Sequence, residues 1–161
     1  MTYNSKKNIV SMAAGIISVA AYVLYVTTGK PPAPEDIQAW AKLMLIFIGI
    51  SVAAQIVIQI LFHVVFAVGI AVKTHDHDRE KMEKIIKASV VEDERDKLIS
   101  LKSMRVGYIC SGAGLMIALF TLAGGAPVVV ALHVIAGFSA AGSLAEGFAG
   151  IFLNERGVRN G

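Results

Sequence analysis

The chain has 161 residues, 55% of them hydrophobic and 17% charged, with a mean hydropathy of +0.65. Those values exclude an ordinary soluble domain and describe a small polytopic membrane protein. The formal net charge is only +3; the charged segment is nearly neutral as a whole, so nucleic acid is not an expected partner.

The first apolar run is 9–28, preceded by Lys6 and Lys7. About 20 residues of helix are enough to cross a hydrocarbon core. A signal peptide would have a shorter apolar core and a small-residue cleavage site, whereas Tyr22, Tyr25 and Val26 lead into Thr27-Thr28-Gly29-Lys30. The run therefore reads as an uncleaved first span. Lys30-Pro31-Pro32-Ala33-Pro34 is a stiff, extended turn, after which Glu35 and Asp36 suit the positive N-terminus of the next helix. Trp40, Tyr22 and Tyr25 are expected to form one aromatic belt at the membrane interface.

The second span is expected over about 41–72. It would be roughly 45 Å long against a hydrocarbon core of about 30 Å, so it must tilt or project. Ser51, Gln55, Gln59 and His63 recur every four residues as a polar stripe. In lipid that stripe would be costly, so it should face another helix or a wet cavity.

Residues 73–105 form the one long charged segment, with nine Lys or Arg and eight Asp or Glu. Glu80 with Lys84 and Glu83 with Lys87 are favourable i,i+4 pairs. Ser89-Val90-Val91-Glu92 fits a capping box, followed by Asp93 and Glu94 in the first turn. A helix is thus expected to start at Ser89 and run unbroken into the third span. The third span, about 106–123, carries Gly107, Ser111, Gly114 and Ala118 as a small-residue face. Gly124-Gly125-Ala126-Pro127 is a tight turn, and the fourth span follows over about 128–153 with His133, Ser139, Ser143 and Glu146.

The expected fold is therefore all-α. It is one membrane domain over 1–161, with four transmembrane helices as two hairpins joined by a charged, helical cytoplasmic connector. Lys and Arg divide thirteen to two between the two sides. That bias places the connector and both termini in the cytoplasm of a multi-pass cell-membrane protein. The lone Cys110 cannot form an intrachain disulfide. The small-residue faces of the third and fourth spans, including Gly142 and Gly150, suggest self-association, with a dimer favoured.

Two constellations could carry chemistry. By helical rise, Glu146 lies roughly 27 Å from the outer boundary, and Gln59, His63, Arg105 and Tyr108 fall at a similar depth, with Gln55 one turn away on the same stripe. A carboxylate there is expensive unless paired or hydrated. It reads either as an ion pair with Arg105 or His63 that fixes helix packing, or as a proton- or cation-coupling group. The second constellation is His75-Asp76-His77-Asp78. Its imidazoles and carboxylates suit a divalent metal, but His75 and His77 point roughly 200° apart on a helix. No other cofactor is expected. His133, some 9 Å into the outer leaflet, is expected to pack or hydrogen-bond rather than ligate. No nucleophile triad, zincin motif, phosphate loop or dinucleotide fingerprint occurs, which argues against an enzyme.

Asp93-Glu94-Arg95-Asp96, next to Glu92 and followed by Lys97-Leu98-Ile99 and a span, resembles a group of small, uncharacterised prokaryotic four-span membrane proteins. Those proteins carry a D-E-R-D signature before a C-terminal helix pair. The resemblance covers about residues 92–157. Where such proteins end in a Tyr-Arg-Arg-Gly type of sequence, this chain has Asn154-Glu155-Arg156-Gly157, matching at Arg156-Gly157. The resemblance implies the architecture and no activity or ligand.

Three function classes follow. One is an accessory or regulatory membrane component, acting through the connector on a cytoplasmic or membrane protein partner. Another is a homo-oligomeric proton- or cation-coupled transporter or channel using Glu146 and the Ser51/Gln55/Gln59/His63 stripe. The third is a metal-responsive protein using His75 and His77. The topology is directly testable: reporter fusions within Lys30–Asp36 and after Gly161 should report opposite sides of the membrane, and a common side for both would contradict it.

Overall fold

The computed structural model describes residues 3–74 and 94–156. Their regular structure is four α-helices: α1 (Tyr3–Thr28), α2 (Ile37–Thr74), α3 (Glu94–Ala123) and α4 (Val128–Arg156). All four are long and apolar enough to cross a membrane. The fold is all-α, and the chain is a multi-pass membrane protein. The connector between Thr74 and Glu94, with its Ser89/Glu92 capping box, lies outside the described residues. From Glu94 onward the charged helix and the third span are one uninterrupted helix, with Glu94 and Asp96 in its first described turn.

Local chemistry sets the helix ends. Gly29 closes α1, donating its amide to Tyr25 O at 2.9 Å. Asp36 is the N-cap of α2, its Oδ1 accepting the amide of Ala39 at 2.9 Å. That cap starts the helix at Ile37, four residues earlier than the apolar run alone suggests. Over its 38 residues, α2 extends about 57 Å. At the other hairpin, Ala126 N donates to Thr121 O and Gly125 N to Leu122 O, with Gly125 at φ 82°. This is a Schellman turn, which needs a left-handed residue where Gly125 stands.

The α3–α4 hairpin is the most extensively packed unit. Its two backbones approach across a seam of small residues in antiparallel register: Ser103 faces Gly150, Gly107 faces Glu146 and Gly142, and Gly114 faces Phe138. Gly107, Gly114, Ala118, Gly142 and Gly150 are all buried. A Cβ on Gly142 would lie 2.9 Å from Gly107 O and 3.2 Å from Cys110 Cβ. The face expected to support self-association is therefore consumed inside the chain, because close backbone approach within the hairpin requires those same glycines.

α1 packs on an adjoining flank of α4, which shares Gly150 with the α3 seam. Asn8 meets Gly150, Met12 meets Gly147 and Leu144 meets Gly15. The beginnings of α1 and α3 and the end of α4 thus share one end of the molecule. α2 packs mainly on α1 and touches α4 less, and neither α1 nor α2 makes more than a marginal contact with α3. The order across the molecule is α3, α4, α1, α2, and the ring between α2 and α3 is not closed.

Gly114→Leu should therefore destabilise the monomer itself. Any Cβ there collides with Phe138 Cβ, which is anchored to the α4 backbone. A loss of about 3 kcal/mol is expected, read as thermal or steric-trapping unfolding in a membrane mimetic. Parental stability would contradict the seam.

Candidate functional site

Glu146 sits on the α3-facing side of α4, half-buried, with Oε2 over the backbone of α3 at Gly107. A Cβ on Gly107 would lie 2.8 Å from that oxygen. Glycine at 107 thus leaves the space that the carboxylate occupies. Around it, Met104, Gly107, Tyr108, Ser111, Ser143 and Glu146 line an open groove of about 290 Å³ between α3 and α4. The antiparallel register makes this grouping, because residues one turn apart on α3 meet residues one turn apart on α4. Ser143 Oγ is already engaged, donating to Ser139 O at 3.1 Å. Tyr108 is 70% exposed and stands at the groove's outer lip.

Among the described residues, Glu146 makes neither a hydrogen bond nor an ion pair. The ion pair expected with Arg105 or His63 is not formed. Arg105 is exposed on α3, and His63 is exposed on α2, outside the residues that line the groove. Gln55 and Gln59 are half-buried on α2 and also stand apart from it. So the structure brings Tyr108 and Glu146 together with Ser111 and Ser143, and leaves the α2 stripe on another surface. The separation follows from helix order, since α1 and α4 intervene between α2 and the groove. A spacing rule within one helix carries no information on that order.

Connector residues Glu94 and Arg95 are exposed and Asp96 is half-buried. Glu92, Asp93 and the metal candidates His75, Asp76 and His77 lie outside the described residues. Among the described residues, no group of three His, Cys, Asp or Glu side chains is placed to hold a metal ion.

A second polar constellation sits at the opposite end. His133 Nδ1 lies 2.7 Å from Val129 O and therefore carries a proton, which leaves Nε2 to accept the Tyr22 hydroxyl at 3.0 Å. Trp40 is buried, 4.9 Å edge-on to His133, and donates Nε1–H to Ala33 O at 3.1 Å. Phe47 packs edge-on to Tyr22 at 5.2 Å. Three helices and the proline-rich turn are thereby tied together. Tyr22 and Trp40, expected at one depth, pack together around His133. Their matching positions along three helices were a readable signal: Tyr22 and Trp40 flank the proline-rich turn between α1 and α2, and His133 follows the start of α4 by little more than one helical turn.

No family model, no curated protein and no solved structure matches this chain.

Two substitutions separate these sites. Glu146→Gln removes a charge without stranding a partner among the described residues, so unfolding stability should stay within about 1 kcal/mol of the parent. His133→Leu leaves the Tyr22 hydroxyl without its acceptor and should cost about 1–3 kcal/mol. The reverse ranking in thermal unfolding would contradict both assignments.

Proposed function

We propose that this chain is an accessory or regulatory component of the cell membrane, with both termini and the connector in the cytoplasm. It acts through the charged segment 73–105 on a protein partner, as a homo-oligomer, and not by passing a substrate between its own spans. The observation that carries this reading is the separation of its polar groups. Glu146 lines a groove between α3 and α4, while Gln55 and Gln59 lie on α2, which barely approaches α3. The second groove, about 400 Å³, is also open and is lined by α4 alone, largely by Val130, Val134, Phe138 and Ala141 around His133. A polar path across the bilayer needs its polar groups to converge on one lumen. The resemblance at Asp93–Asp96 accords with such a membrane component and adds no activity.

One observation favours a second reading. Glu146 has no cationic partner among the described residues, as a carboxylate that binds and releases a proton or cation would require.

The two readings part in a reconstituted system. Purified protein in liposomes should raise proton and monovalent-cation flux no further than empty vesicles do. Photo-cross-linkers placed in cells at Arg79 or Lys84 should give one discrete protein adduct. Flux that disappears in Glu146→Gln, with no adduct from the connector, would reverse the choice.

A further inference from the structure

The α3–α4 groove holds a charge without a counter-charge. Of the residues that line it, Glu146 alone is charged. Two hydroxyls share the groove with that carboxylate, and both can accept. Ser143 Oγ donates its proton to Ser139 O and keeps its lone pairs. Ser111 is half-buried and makes no hydrogen bond among the described residues. Its Oγ lies 3.1 Å from where a Cβ on Gly142 would stand, one helical turn before Glu146. The groove therefore offers oxygen acceptors from both helices and a single negative charge. A primary ammonium is the complement of such a set, being cationic with three N–H donors and no acceptor. A quaternary ammonium carries the charge and no donor.

Position identifies the carrier of that ammonium. Gly107 is the second residue of the apolar run of α3, which begins at Val106 directly after Arg105. The groove thus sits where headgroups meet hydrocarbon, and it is open along its side, with Tyr108 at the lip. Arg105 is exposed and makes no ion pair among the described residues. It is the i,i+3 neighbour of Tyr108 on the helix surface. Only about 3 Å of helical rise separates it from Gly107, over which the carboxylate lies. In the other direction Leu115, one turn beyond Ser111 on the same face of α3, is exposed and apolar.

We propose that this groove is a binding site for phosphatidylethanolamine. Glu146, with the hydroxyls of Ser111 and Ser143, takes the primary ammonium; Arg105 takes the phosphate; and an acyl chain runs past Tyr108 along Leu115. Charge-assisted hydrogen bonds from an ammonium to a carboxylate, and from a guanidinium to a phosphate, are the strong kind. Glu146 and Arg105 are opposite charges that the fold keeps close and does not pair, and one zwitterionic headgroup answers both. A soluble amine would satisfy the carboxylate and leave Arg105 and the apolar wall unused. The site lies apart from the connector and moves no ion across the bilayer, so it goes beyond both readings of function given above.

The test uses the full-length chain, delipidated in detergent and titrated with phosphatidylethanolamine or phosphatidylcholine of identical acyl chains, with bound lipid counted by native mass spectrometry. The first phosphatidylethanolamine should bind about tenfold more tightly than the first phosphatidylcholine, which has the same phosphate and no N–H donor. That ratio is measured on the parent protein, so it decides the matter whatever the variants do. Glu146→Gln should bring the two lipids to within about twofold of each other. Arg105→Gln should weaken both lipids, by about fivefold, and leave their ratio unchanged. Water-soluble phosphoethanolamine, at the same concentration, should not displace the bound lipid. Equal affinity for the two lipids in the parent overturns the proposal, as does a preference for ethanolamine that survives in folded Glu146→Gln. Displacement by phosphoethanolamine would make the ligand a soluble amine and overturn the lipid assignment.

Discussion

The close approach of α3 and α4 is the contact on which the rest of the structure depends. Lipid is as apolar as leucine, so helices in a bilayer associate through packing detail and not through a general hydrophobic drive. Here the detail is an antiparallel glycine seam. Gly107, Gly114, Gly142 and Gly150 remove the side chains that would hold the backbones apart. The same seam fixes the register, which in turn decides that Glu146 lies over Gly107 and beside Ser111. α4 then meets α1 through Gly147, where Met12 packs, and through Gly150, which lies against both Asn8 of α1 and Ser103 of α3. One helix is thereby shared by both hairpins.

At the far end a polar device replaces the small-residue one. His133 is fully engaged by Val129 O and the Tyr22 hydroxyl, and Trp40 closes over it while holding Ala33 O. A polar network in a low-dielectric setting rigidifies only when each member is satisfied, and this one is. It anchors the start of α2. Further along, α2 has no comparable anchor, and its exposed apolar surface faces lipid or protein.

Much of this was legible in the sequence, because the bilayer imposes a length scale and a solvent that composition reports directly. Four apolar runs gave four helices, and the Gly124–Pro127 turn was readable from residue type. Asp36 as a cap was readable too, although the apolar run alone begins four residues late. Depth along each helix followed from rise per residue, which is how Tyr108 and Glu146 come to be neighbours. Lateral order was not legible. No pattern within α2 tells whether it adjoins α1 or α3, so Gln59 and Glu146 could share a depth and still stand on different surfaces. The small residues of α3 had the same ambiguity: glycines that permit close approach do not say whether the neighbour is α4 or another copy. The aromatic residues near the proline-rich turn were legible as a group, but their partnership with His133 was not.

The helices stand in the open order α3, α4, α1, α2, with α2 and α3 at opposite edges. Pulsed electron–electron double resonance measures that separation. Spin labels replace Ile60 on α2 and Ile109 on α3, on a Cys110→Ala background, in bilayers diluted with unlabelled protein so that only intrachain pairs report. An open order predicts one distance well beyond the roughly 8–10 Å that separates packed helices, even after allowance for label length. A distance distribution centred on packed neighbours would mean that α2 and α3 close the ring, and it would contradict the account.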